Sequence, residues 1–149
     1  MKAKVLIVLI LVAFAAACTK NSSAPLAKFT LKRVNDTIFS SGQTINFEFT
    51  ITHKNGGYIS DSLFVARKFF TCPYIKQDTF FISLPAYNGV GNEKSNITYS
   101  YQYGSGGLNN GCTNNNRILT DSLHFYFWIK DNRGNVSDTI KSPKIILKS

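Results

Sequence analysis

The stretch Thr44–Thr52, "TINFEFTIT", sets Ile45, Phe47, Phe49 and Ile51 at alternate positions, with Asn46, Glu48 and Thr50 between them. Successive side chains of a strand point to opposite sides, so this period of two describes a strand buried on one face. The turn residues Asn55, Gly56 and Gly57 follow at once. Comparable runs are "FTLKRV" from Phe29, "SLFVARKFF" from Ser62, "TFFISL" from Thr79, "NITYSYQY" from Asn96, "SLHFYFWIK" from Ser122 and the last stretch, Asn135 to Leu147. These strand candidates are separated by turn signals and predict an all-β fold, a single antiparallel β-sandwich of about seven strands. Helix finds little place, because β-branched and aromatic residues dominate the periodic segments and Gly, Asn and Ser clusters interrupt them. Tyr103 to Asn116, "YGSGGLNNGCTNNN", reads as a long loop.

The strand from Ser122 contains the most informative surface. With Leu123, Phe125, Phe127 and Ile129 turned inward, alternation turns His124, Tyr126, Trp128 and Lys130 outward. Aromatic rings with a polar edge suit stacking on sugars or docking a protein. The alternative is a second small core, with the long loop covering the stripe through residues such as Gly106 and Leu108.

The amino-terminal segment bears on location. Lys2 and Lys4 precede an apolar run that ends at Cys18 and falls short of the roughly 20 residues a spanning helix needs. A positive start, an apolar middle and small residues at the end are the marks of a cleaved secretory leader. Ala15-Ala16-Ala17-Cys18 resembles the lipobox of bacterial lipoproteins, although Ala15 stands where leucine is usual. The resemblance implies cleavage before Cys18 and acylation of that cysteine. Each buried methylene contributes roughly 0.8 kcal/mol, so two or three acyl chains hold a protein on a bilayer that it does not cross. The expected organisation is a leader over 1–17, an acylated cysteine and polar tether over 18–26, and the sandwich over 27–149. Thr19 stands where a retention aspartate would mark an inner-membrane lipoprotein, which favours the outer membrane, on either its periplasmic or its surface face.

Cys72 and Cys112 remain once Cys18 is acylated. An even pair in an exported chain reads as a disulfide. A zinc site would need about four N or S ligands, and His53 and His124 are the only histidines. No metal or cofactor is therefore expected. Catalysis is not expected either, since neither histidine accompanies a recognisable nucleophile motif and the few carboxylates lie mostly at turns. Asp131-Asn132-Arg133-Gly134 is too short and too cationic for a calcium loop. The formal charge of +9 includes Lys2 and Lys4 of the leader. What remains is a mildly basic exterior that is either simply solvated or attracted to anionic envelope surfaces. No basic run with interleaved aromatics points to nucleic acid.

"LHFYFWIKDNRGNVSDTIKSP", Leu123 to Pro143, looks like the final hairpin of bacterial immunoglobulin-like sandwich domains, and "DTIFSSGQTINFEFTI", Asp36 to Ile51, looks like their early strand pair. With the lipobox, the chain resembles the small immunoglobulin-like lipoproteins of Bacteroidetes. Such a fold carries no function with it. The functional expectation is a membrane-anchored, non-catalytic binding module for glycan or protein. The alternative is a structural or accessory subunit of an envelope complex without a ligand of its own.

A tripeptide recurs as Asp36-Thr37-Ile38, Asp61-Ser62-Leu63, Asp121-Ser122-Leu123 and Asp138-Thr139-Ile140. It resembles the acceptor motif of protein O-glycosylation in Bacteroidetes, which implies Thr37, Ser62, Ser122 and Thr139 as sites. Aspartate in a turn, a hydroxyl residue and an inward aliphatic is also how strands commonly begin.

Overall fold

The computed structural model of the chain describes residues 28–52, 62–70, 79–85, 94–104, 113–114, 117–118, 120–131 and 134–148. Every regular element among them is a strand: β1 (Lys28–Val34), β2 (Ile38–Ser40), β3 (Thr44–Thr52), β4 (Ser62–Phe69), β5 (Thr79–Ser83), β6 (Lys94–Gln102), β7 (Thr113–Asn114), β8 (Arg117–Ile118), β9 (Asp121–Lys130), β10 (Ile140–Lys141) and β11 (Ile145–Lys148). Three of these form one sheet in the order β1-β3-β6, and a six-stranded sheet runs β2-β11-β9-β4-β5 with β10 also paired to β9. The two sheets pack face to face as a β-sandwich, the arrangement that a period of two in each strand favours.

The inner faces are those read from the alternation. Ile45, Phe47, Phe49 and Ile51 of β3 are buried, as are Leu123, Phe125, Phe127 and Ile129 of β9. Phe47 lies at the junction, its ring centroid 4.8 Å from that of Phe125 and 4.9 Å from that of Phe127. Tyr101 of β6 reaches the same centre, 5.4 Å from Phe125. Rings of this size contribute both apolar area and edge-to-face contacts across the sheets.

Four features differ from the sequence reading. First, the sandwich is not wholly antiparallel, since β2 runs parallel to β11 with Ile38 opposite Ile146. β2 and β3 are therefore not a strand pair. The cause lies at Asn35 and Asp36, where the chain leaves the three-stranded sheet. The Asn35 N–H donates to the Asn46 carbonyl, and its side chain carries the bonding to β3 one step further, accepting from the Asn46 N–H and donating to the Thr44 carbonyl. The Asp36 carboxylate accepts from the N–H groups of Thr37 and Ile38 and sets the turn into the other sheet. Second, the Tyr103 to Asn116 segment is not all loop, because β7 lies in it and pairs with β8. Third, the last stretch is broken into β10 and β11. Fourth, Arg67 of β4 points inward and is only 3% exposed. It donates to the Tyr101 hydroxyl at 2.8 Å and lies near the rings of Tyr101, Phe69 and Phe80. Hydrogen bonding and ring faces offset part of the desolvation of this cation.

Candidate functional site: the outer face of the six-stranded sheet

The outward residues of β9 are arranged as alternation demands. His124, Tyr126 and Trp128 are half-buried and Lys130 is exposed, between neighbours that are fully buried. Register decides what stands beside them. Phe64 of β4 is opposite Trp128, and Phe81 of β5 is opposite Phe64. The result is a row of three rings crossing three strands. Phe64 and Trp128 stack at 5.5 Å with planes 10° apart, and Phe64 meets Phe81 at 5.7 Å. Phe64 has a ring on either side and is half-buried, as is Trp128. Phe81, on the edge strand, is 63% exposed.

One register step along, Ala66 stands between Thr79 and Tyr126, and Lys141 of β10 is opposite Tyr126. A further step brings Lys68 opposite His124. The His124 Nδ1 is 3.0 Å from the Ser142 carbonyl oxygen. A carbonyl only accepts, so Nδ1 is the donor of this bond. The Phe70 ring meets the His124 ring edge-on at 5.2 Å, and the Lys144 ammonium lies 5.5 Å from Phe70. Phe70 is itself 51% exposed.

The opposite outer face is built differently. On the three-stranded sheet, Ser100 donates to the Asn46 side chain at 2.7 Å and Thr50 to the Asn96 side chain at 3.0 Å. Arg33 and Glu48 form an ion pair there. The hydrogen bond from Arg33 holds the Glu48 carboxyl below the usual carboxylate range. These groups satisfy one another and present no aromatic platform. A depression of about 290 Å³ beside β2 is lined by Asn35, Asp36 and Gln43 among others. Their side chains are already bonded to backbone groups, Gln43 accepting from the Ser40 N–H at 2.6 Å.

Several residues singled out in the sequence lie outside the described residues: Cys18, Cys72, Cys112, His53, Gly106 and Leu108. Of the four acceptor-like tripeptides, the aspartate of one, Asp61, lies outside the described residues, and the other three fall into two groups. The Asp36 and Asp121 carboxylates accept from the N–H groups that follow them, the chemistry of a strand start. The Asp138 side chain makes no such bond among the described residues, and Thr37 and Thr139 are exposed whereas Ser62 and Ser122 are half-buried. The Asp131 carboxylate is engaged by the N–H and side-chain amide of Asn135, both at 2.7 Å. Gly134, at φ 85°, lets the chain close that turn.

Sequence reasoning did not place Phe64, Phe81, Phe70, Lys68 or Lys141 on this face. A signal existed in the adjacent pairs Phe80-Phe81 and Phe69-Phe70, since neighbours on a strand point to opposite sides and one ring of each pair must face out.

No protein-family profile matches the chain, and no curated protein does. Among solved structures it is similar to the alkylpurine DNA glycosylase AlkC of Pseudomonas fluorescens bound to DNA with an abasic site analog, with a TM-score of 0.52 and 10% identity over 83% of this chain and 31% of that one. It is also similar to a β-glucosidase of Listeria innocua in complex with isofagomine, at a TM-score of 0.49 and 12% identity over 83% of this chain and 16% of that one. A superoxide reductase (neelaredoxin) of Ignicoccus hospitalis gives a TM-score of 0.47 and 7% identity over 87% of each chain. The chain spans under a third of the glycosylase, and at such identity the likeness shows the fold alone.

Proposed function

We propose that the chain is a non-catalytic binding module for glycan, held at the outer membrane through an acylated Cys18, with the outer face of the six-stranded sheet as its contact surface. The observation that supports this reading is the cross-strand row of Phe81, Phe64 and Trp128. Exposed aromatic surface of this kind costs free energy in water unless a ligand covers it. Sugar rings carry apolar C–H faces that pack on aromatic rings, while their hydroxyls find the polar groups at the rim. Against a scaffold without a ligand stands the contrast between the two sheets, because among the described residues only one outer face carries such a row.

Affinity electrophoresis of the full chain through gels containing dextran, laminarin, alginate or polygalacturonate tests the proposal. At least one polysaccharide should retard the protein, and Trp128→Ala or Phe81→Ala should weaken that retention about tenfold. No retardation in any gel, or retardation indifferent to both substitutions, would overturn the glycan reading and leave the accessory-subunit alternative. O-glycosylation is proposed first for Thr139, whose aspartate is not spent on a strand start. Intact mass of protein from its native host should exceed that of the acylated polypeptide, and equality would reject it.

A further inference from the structure

The charges on the aromatic face are as one-sided as its rings. Outward strand positions of the six-stranded sheet hold Lys68, Lys130, Lys141 and Lys148, and among the described residues none holds Asp or Glu. None of these lysines has a carboxylate partner among the described residues. The described carboxylates are elsewhere. Glu48 is on the other sheet with Arg33, Asp121 is buried, and Asp36, Asp131 and Asp138 lie in connections between strands.

Register places the cations about the rings. Residues two apart on one face are about 7 Å from each other. Lys130 lies one such step from Trp128 along β9, and Lys141 stands opposite Tyr126, one step the other way. A sugar ring against Trp128 thus has an ammonium within reach on either side. Lysines that face no carboxylate among the described residues repel one another and gain from an anion.

Resting on the glycan-binding reading, we infer that the ligand of this face is an anionic polysaccharide, a chain of sugar rings bearing carboxylate or sulfate groups. The rings pack on Trp128 and Phe81, and the anionic groups pair with Lys130, Lys141 and Lys68. A neutral glycan would offer those ammonium groups hydroxyl acceptors but no counter-charge. An anionic membrane is the rival occupant, since it too would meet the charge, and vesicles separate it in the test.

Trp128 is the sole tryptophan of the chain, so its emission reports on this face alone. The full chain is titrated with polygalacturonate, with dextran, and with phosphatidylglycerol vesicles. Two charge-reversed proteins of equal net charge are compared, Lys130→Glu with Lys141→Glu on the aromatic face and Lys28→Glu with Lys94→Glu on the three-stranded sheet. Polygalacturonate should shift the emission, and the first pair should weaken its binding about tenfold or more while the second changes it less than about twofold. Equal weakening by both pairs would reduce the effect to overall charge and overturn the inference. Dextran binding as well as polygalacturonate would overturn the anionic class while leaving the glycan module intact. A shift with vesicles and with neither polysaccharide would overturn both.

Discussion

Tyr103 follows β6 and is buried to 1% exposure, yet its hydroxyl has no hydrogen-bond partner among the described residues. Its backbone explains why it stays. The Tyr103 N–H donates to the Gln43 carbonyl and its own carbonyl accepts from the Gly42 N–H, tying the end of β6 to the β2–β3 turn. Gly104 follows at φ 83°, where a Cβ would collide with the Ser41 hydroxyl. A ring is wanted here and an oxygen is not, so Tyr103→Phe should raise stability by about 1 kcal/mol in urea unfolding. Burial, and then the negative charge of Asp121, push the Tyr103 phenol above the ordinary tyrosine range. As pH rises past that range the unfolded phenol ionises first, so stability is lost from there up to the folded value. The phenylalanine variant should lose less over the same alkaline window. At this scale the inward phenylalanines were legible from alternation, whereas buried Arg67 was not, since a cation in an apolar run normally marks the solvent side.

β9 was readable because its ten residues alternate without a break, and its partner β4 nearly so. The segment after it was not, because its contacts with β9 are made partly by side chains. The Ser137 and Ser142 hydroxyls accept from the N–H groups of Ile129 and Phe125 at 2.9 and 3.0 Å. Backbone bonds from Ser137 to the Ile129 carbonyl and from Ser142 to the Phe125 carbonyl complete the junctions. Two serines thus carry the ladder across an irregular stretch that shows no period of two. Ser142→Ala should cost about 1–3 kcal/mol, because the buried Phe125 N–H loses its partner. Faster hydrogen exchange at the Phe125 amide checks that origin. The parallel pairing of β2 escaped for a similar reason, because Asn35 and Asp36 read only as turn residues and the new partner of the chain lies far along the sequence.

The whole molecule is a sandwich with two unlike outer faces, one of polar side chains with Lys28 and Lys94 at one end, the other aromatic and cationic. Half of the aromatic face was visible beforehand as His124, Tyr126, Trp128 and Lys130. The other half depends on which strand lies beside β9 and in what register, information that no single strand contains. Attachment to the membrane is a separate expectation: Cys18→Ser should release the protein from the membrane fraction or block its processing, and retention with normal cleavage would contradict the lipid anchor. The central claim concerns the aromatic face, and amide and indole N–H chemical shifts of the labelled full chain test it most directly. On addition of the polysaccharide that retards the protein, the Trp128 indole signal should move together with the amides of Tyr126 and Phe81, while those of Asn46 and Ser100 stay still. Movement of Asn46 and Ser100 with Trp128 unchanged would place the ligand on the wrong sheet and contradict the account.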